Sequence, residues 1–129
     1  MNQVATDTFA FSFGFAAYSL IELAYRRYTH YTMGIAGGLC FLILYRLYKG
    51  HPYFSLLKKC ALGSIIITAV ELLFGIVLNR FLKLGIWDYS NMPLNILGQV
   101  CPLFSFYWLL LCIPVSYLAK KLSKLEMAI

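Results

Sequence analysis

Apolar residues follow one another along this chain in long runs, and short polar connections separate the runs. A helix needs about 17 to 25 mostly apolar residues to cross the hydrocarbon core of a bilayer. Four runs reach this length, and each predicts a membrane-spanning helix. The predicted spans cover about residues 8–24, 31–48, 60–79 and 94–119.

The connections between these spans are short, at residues 26–30, 49–59 and 80–93. Short connections favour antiparallel neighbours in a helical bundle. We therefore predict an all-α fold. It is a single transmembrane domain over residues 1–129, built as an integral membrane bundle of four transmembrane helices in up-down-up-down order.

Composition supports a membrane protein, because 61% of the residues are hydrophobic and only 12% are charged. In soluble domains, about 45–50% of the residues are apolar and about 25% are charged. The net charge is +6, but the basic residues cluster at the ends of the apolar runs, as in Arg26–Arg27, Lys58–Lys59 and Lys120–Lys121. This placement favours membrane lipids with anionic headgroups as partners and disfavours nucleic acid.

The distribution of lysine and arginine also predicts an orientation. Residues 46–59 and 120–129 together hold seven basic residues, whereas residues 26–30 and 80–93 hold four. The more basic side of a membrane protein usually faces the cytoplasm. We therefore predict a multi-pass protein of the cell membrane with both termini in the cytoplasm and the 80–93 connection outside.

A polar stripe runs along the third span, where Ser64, Thr68, Glu71, Gly75 and Asn79 recur at helical spacing and share one face. A charged side chain in the middle of a span costs about 2.5–3.5 kcal/mol on insertion scales, and it usually faces the bundle interior or a wet cavity. The carboxyl group of residue 71 is therefore a candidate for substrate binding or proton transfer. The alternative is a structural acid that is hydrogen-bonded to a neighbouring helix.

The connection before the fourth span reads GIWDYSNMPLNILGQVCP and is rich in polar and aromatic side chains. We expect Trp87, Tyr89 and Ser90 to anchor this loop, with the two aromatic rings in an interfacial belt. Asp88 is expected to accept backbone N–H groups in a turn, and Asn95 to cap the amino end of the fourth helix.

We hypothesise that this loop folds inward and caps one polar pocket around the carboxyl group of residue 71. The proposed pocket residues are Glu71, Asn79, Asp88, Asn95 and Gln99. The alternative is an anchored and capped start of a helix with no ligand.

Glycines mark the expected contacts between helices. Gly34 and Gly38 form a GxxxG pair in the second span, while Gly75 and Gly98 lie on the polar faces of the third and fourth spans. Small residues let helices approach closely in lipid, so we predict all four at helix contacts.

The second half of the chain resembles a known family. The matching features are Glu71, Gly75, Asn79, the WDYS run at 87–90, Pro93, Asn95, Gly98, Gln99, Cys101 and Trp108. They resemble the signature of the family titled "putative ABC-transporter permease type IV", the CmpB-like small integral membrane proteins. The resemblance covers most of the chain after residue 28. It implies a multi-pass membrane protein that serves as a transporter permease component.

The sequence lacks the motifs of ATP binding and of metal binding. No GxxxxGK[ST] phosphate loop occurs, so an ATP-driven permease would use a separate ATPase subunit. The cysteines and histidines have no metal-ligand spacing, and we predict no metal and no cofactor. Four spans leave little room for a complete translocation path, which favours a homo-oligomer.

Three functions remain open from the sequence. The first is a transport component. The second is a non-transporting binding or assembly module that holds a lipid or a partner helix. The third is a membrane-embedded enzyme with Glu71 or Asp88 as the acid or base, and we expect no enzyme because the sequence shows no nucleophile or paired base.

Overall fold

A computed structural model describes residues 2–27 and 29–127. Across those residues the chain is all-α, with helices but no β-strand. The helices are α1 (Gln3–Arg26), α2 (Tyr31–Gly50), α3 (Leu56–Gly75) and α4 (Pro102–Met127), and α3 continues into a π-helical segment at Ile76–Phe81.

Each of the four helices is long and apolar enough to cross a membrane, and α3 counts here together with its π segment. The predicted all-α class with four membrane-spanning helices is therefore confirmed. The expected spans at 8–24, 31–48 and 60–79 lie inside α1, α2 and the α3–π helix.

The predicted start of the fourth helix is wrong, because α4 begins at Pro102 and not near Leu94. Leu94, Leu97 and Gly98 have left-handed backbones, with φ of 57°, 56° and 72°, and such residues do not continue a right-handed helix. Proline suits the first helical position because it has no N–H group to leave unpaired.

Two further expectations fail for the same reason. Asn95 does not cap α4, because its Oδ1 accepts the Gly98 N–H at 2.9 Å inside the preceding loop. Side chains of this type compete with helix formation by bonding to nearby backbone. Gly98 lies in that loop as well, so it is not on a helix face.

The chain forms two compact units. The first comprises Met1–Leu56 with Pro114–Ile129, and the second comprises Leu57–Ile113. The division passes through α4 at Pro114, where a proline in the helix interior removes one backbone hydrogen bond.

In the first unit, α1 and α2 pack closely along their glycines. A Cβ added at Gly14 would lie 2.6 Å from the Gly37 carbonyl oxygen. One added at Gly34 would lie 2.6 Å from the ring of Phe15, and one added at Gly38 would lie 2.7 Å from the backbone oxygen of Phe11. The GxxxG pair of α2 therefore faces α1 within the same chain.

One end of the first unit is held by charged and polar side chains from three helices. Arg46 forms an ion pair with Asp7, and Lys49 Nζ donates to Gln3 Oε1 at 2.8 Å. Lys49 also pairs with Glu126 Oε2 at 3.0 Å, and Tyr45 donates to the same carboxylate. The start of α1 thus lies beside the ends of α2 and α4. This arrangement is the one expected if both termini lie on the same side of a membrane. That this side is the cytoplasmic one stays a prediction.

Candidate functional site

The second unit brings the polar stripe of α3 against the start of α4. Ser64 Oγ donates to the Ser105 carbonyl oxygen at 2.6 Å, and the Thr68 and Ser105 hydroxyl oxygens lie 2.8 Å apart. Ile65 and Leu73, on another face of α3, are exposed. The helix therefore has a polar face inside the protein and an apolar face suited to lipid.

Glu71 lies inside this unit, with only 7% of its surface exposed. Its Oε2 accepts a hydrogen bond from the Tyr89 hydroxyl at 3.2 Å, and its Oε1 accepts one from Trp108 Nε1 at 3.4 Å. Each carboxylate oxygen is thus held by a different element, one by the loop and one by α4.

Aromatic rings surround these donors. The ring of Phe104 stacks on that of Tyr89 with centroids 4.6 Å apart, and it lies 6.3 Å from the ring of Trp108. Packing against Phe104 therefore helps to hold both donors in position beside the buried carboxyl group. At a buried site electrostatic interactions are stronger than in water.

A second, partly buried cluster of polar side chains lies where the π segment meets the loop. Asn79 Nδ2 donates to Gln99 Oε1 at 2.8 Å, and Asn79 Oδ1 accepts the backbone N–H of Ile86 at 2.7 Å. Gln99 Nε2 in turn donates to the Leu97 carbonyl oxygen at 2.9 Å. Asn79 therefore ties both ends of the loop to the helix.

Gly75 provides the space for this second cluster. A Cβ at Gly75 would lie 2.6 Å from Gln99 Oε1 and 2.8 Å from Gln99 Cβ. Gly75 thus faces the loop rather than another helix. The π segment follows directly, and the Leu82 N–H bonds to the Val77 oxygen five residues back. Such π segments occur frequently at functional sites.

The loop at residues 82–101 folds inward. Ile86, Trp87, Tyr89 and Val100 are all buried. Trp87 Nε1 donates to the Gln99 carbonyl oxygen at 3.0 Å, and the Tyr89 N–H donates to the Gly98 oxygen at 2.7 Å. The expected interfacial belt is therefore wrong for Trp87 and Tyr89, since both rings pack inside the protein.

Asp88, Ser90 and Asn95 make their hydrogen bonds within the loop. Asp88 is exposed, and its Oδ1 accepts the Ser90 N–H at 2.9 Å, a bond that lowers the pKa of the carboxyl group. Asn95 Nδ2 donates to the Met92 oxygen at 2.9 Å. These side chains stabilise turns, so the polar groups of the site come from the buried Glu71 and Gln99 and the partly buried Asn79.

Sequence reasoning missed the two donors to Glu71. Tyr89 was expected only as a loop anchor, and Trp108 entered only through the family resemblance. One signal was present for Trp108, because a tryptophan N–H within an apolar span usually needs an acceptor. The pairing itself joins residues 37 positions apart, which no local pattern reveals.

Comparison with known families now adds to this geometry. A family model described as "Putative ABC-transporter type IV" matches residues 5–128. The chain belongs to this family. The resemblance of the WDYS region is thereby confirmed, and the match extends over nearly the whole chain.

No curated protein and no solved structure matches the chain. The assignment therefore rests on the family model. Together, family membership and four apolar helices indicate a multi-pass membrane protein of an ABC-transporter family.

Proposed function

We propose that the chain is a membrane subunit of an ABC-type transporter, in which Glu71 forms a polar site gated by the inward-folded loop. The observation that carries this proposal is the buried Glu71 carboxyl group, bridged by Tyr89 of the loop and Trp108 of α4. An ionisable residue within a membrane span is costly, and such residues commonly mark substrate or proton pathways.

The loop is built to act as a gate. Left-handed residues lie near both of its ends, at Lys83 and Gly85 on one side and at Leu97 and Gly98 on the other. A loop that opens needs a few hinge positions that absorb backbone rotation, and Gly85 and Gly98 have the conformational freedom for this role. Opening the loop breaks the Tyr89–Glu71 hydrogen bond and exposes the carboxyl group to a polar substrate or a proton.

The energy for transport comes from a partner in this proposal. Because the sequence has no phosphate-binding loop of the GxxxxGK[ST] type, ATP is bound and hydrolysed by a separate ATPase subunit. The small number of spans favours assembly of several copies of this chain around one translocation path.

A second candidate function is a non-transporting assembly module that holds a lipid or a partner helix. The contacts of Ser64, Thr68 and Ser105 favour it, because polar side chains that join two helices also act as structural glue. In this case the bonds to Glu71 fix the loop and carry no proton or substrate.

Reconstitution with the partner ATPase separates the two functions. The chain would be purified in mild detergent from its host membranes with any bound ATPase and placed in liposomes. ATP hydrolysis would then be measured for the wild type and for Glu71→Gln, with Ser12→Ala as the control at an exposed position of α1, outside the loop.

The transport proposal predicts that Glu71→Gln keeps the complex intact and lowers ATP hydrolysis, because hydrolysis is coupled to a cycle in which the Glu71 carboxyl group takes part. Ser12→Ala is expected to hydrolyse ATP at the wild-type rate. Full hydrolysis by Glu71→Gln, or a purified chain that never stimulates an ATPase, contradicts the transport proposal.

A further inference from the structure

The carboxyl end of α4 carries three exposed lysines, which we call the lysine patch (Lys120, Lys121 and Lys124). Residues three and four positions apart are neighbours on a helix, so these three form one cluster. Within the residues that the structure describes, none of their side chains makes an ion pair or a hydrogen bond. The patch therefore presents three uncompensated positive charges.

The acidic residues of the chain are engaged elsewhere. The five acids and their contacts are Asp7 with Arg46, Glu22 with Arg26, Glu71 with Tyr89 and Trp108, Asp88 with Ser90, and Glu126 with Lys49 and Tyr45. Like charges at this spacing on a helix repel one another. Glu126 lies two residues from Lys124 but is engaged by Lys49 and Tyr45, so an anion from outside the chain would stabilise the cluster.

The structure also fixes the direction of the patch. Glu126 holds the end of α4 on α2 through Lys49 and Tyr45. On the inward side of the same turns, Ser116, Ala119 and Leu122 are buried. The lysines therefore point outward.

The patch has the surroundings of a membrane interface. Tyr117, Leu118 and Leu125 lie beside the lysines and are exposed. Lysine stems cover apolar surface while the ammonium group reaches toward phosphates, and tyrosine favours the headgroup level. A purely aqueous surface does not favour exposed leucines among the lysines.

We infer that the lysine patch binds the phosphate headgroup of an anionic phospholipid at the membrane face that holds both termini. Phosphate contacts with the lysines supply the missing negative charge, and the adjacent leucines contact the acyl chains. This site is separate from Glu71 and does not depend on transport.

Native mass spectrometry of the full chain in detergent tests the inference. Phosphatidylglycerol and phosphatidylcholine with identical acyl chains would be titrated in turn, and the apparent Kd of the first bound lipid measured. The wild type is expected to prefer phosphatidylglycerol, and high salt is expected to weaken that preference because exposed charges are screened.

Variants without the charges of the lysine patch show whether the lysines cause the lipid preference. Each basic residue near an anionic membrane surface contributes about fivefold in affinity, so Lys120→Gln with Lys121→Gln and Lys124→Gln should weaken phosphatidylglycerol binding at least about tenfold. The variant with Lys120→Arg, Lys121→Arg and Lys124→Arg should retain the wild-type affinity for phosphatidylglycerol. Thermal unfolding in phosphatidylcholine should change little, because the three side chains make no ion pair or hydrogen bond within the described chain.

A matched control distinguishes the patch from net charge. The pair Arg27→Gln with Lys83→Gln removes two exposed charges from other parts of the chain, and it should bind phosphatidylglycerol as the wild type does. The pair Lys120→Gln with Lys121→Gln should bind phosphatidylglycerol more weakly than the wild type. Equal affinity for the two lipids, or equal losses in the two pairs, overturns the inference. So does a patch variant that keeps its lipid and loses only a protein partner.

Discussion

The Tyr89 hydroxyl donates a hydrogen bond to the Glu71 carboxylate at 3.2 Å, joining the loop before α4 to the middle of the polar face of α3. Glu71 is in a helix that is long and apolar enough to span a membrane, and Tyr89 is in a segment without helix or strand. Irregular backbone at membrane depth is tolerated where it is buried in protein. This bond is therefore one of the contacts that hold the loop against the polar face of α3.

Removing the Tyr89 donor tests that contact. Tyr89→Phe keeps the ring that stacks on Phe104 and deletes only the hydroxyl. We expect a loss of about 1 kcal/mol in the free energy of unfolding, the range measured for side-chain hydrogen bonds in membrane proteins. Unfolding in a mixed-detergent series measures it. Tyr107→Phe, at a half-exposed ring of α4, is the control and should change stability little; equal effects of the two variants would count against the contact.

The close approach of Gly75 to Gln99 gives a steric prediction. Gly75→Ala places a Cβ 2.6 Å from Gln99 Oε1, so the glutamine must move away from Asn79. We expect a loss of about 1–3 kcal/mol in the free energy of unfolding, as for other overpacked sites.

Gly50→Ala is the matched control for that substitution, because no atom lies within 4 Å of its added Cβ. It should leave stability unchanged or raise it slightly, since alanine is the better helix former. If Gly75→Ala proves as harmless as Gly50→Ala, the loop does not pack on α3 as described.

Asp88 gives a pH prediction. The Ser90 backbone N–H lowers the pKa of the Asp88 carboxyl group below its usual value of 3.8. The Asp88 carboxylate therefore stabilises the turn fully at pH values above 3.8. This stabilisation is lost as the pH falls through the lowered pKa of Asp88 in the folded chain.

Hydrogen exchange measures the Asp88 effect locally. Asp88→Ala should speed exchange of the Ser90 amide at neutral pH, because the acceptor is lost. Asp88→Asn keeps an acceptor oxygen and should preserve most of the protection. An unchanged Ser90 rate in Asp88→Ala would show that this turn does not depend on the carboxylate.

The contact between Lys49 and Glu126 predicts a coupling across the first unit. Both side chains are partly buried, and Tyr45 also donates to Glu126. Glu126→Ala leaves Lys49 and Tyr45 without this acceptor and should lower the free energy of unfolding by about 1–3 kcal/mol.

A double-mutant cycle with Lys49→Met isolates the pairwise part of that loss. The two substitutions together should cost less than the sum of the single effects. Strict additivity would mean that the two side chains do not interact in the folded protein.

The lengths of the apolar runs predicted most of the fold. They identified α1, α2 and the α3–π helix because each carries an apolar run bounded by polar residues. They misplaced the start of α4 because residues 94–101 are apolar enough to extend that run. Left-handed backbone at Leu94 and Leu97, and the side-chain turn at Asn95, decide the local structure there.

The candidate site was predicted in part. The three- and four-residue spacing placed Glu71 and Asn79 on one face of the α3–π helix, and both make hydrogen bonds within the second unit, Glu71 in a buried network and Asn79 in a partly buried one. Asp88 was assigned to the pocket because it is polar and close in sequence to the other pocket residues, but its Oδ1 accepts the Ser90 N–H, as the turn expectation had it. The donors Tyr89 and Trp108 depend on how the loop folds back, and no periodicity carries that information.

Solid-state NMR of the protein in lipid bilayers tests the central claim, that the Glu71 carboxyl group is enclosed by protein. The ¹³C–¹⁵N dipolar coupling would be measured between labelled glutamate carboxyl carbons and labelled tryptophan indole nitrogens. We predict a short-range coupling that disappears in Trp108→Phe and in Glu71→Gln and persists in Trp87→Phe, since Trp108 donates to Glu71 and Trp87 donates to Gln99. A Glu71 carboxyl signal with no indole coupling and with magnetisation transfer from lipid acyl protons would contradict the account.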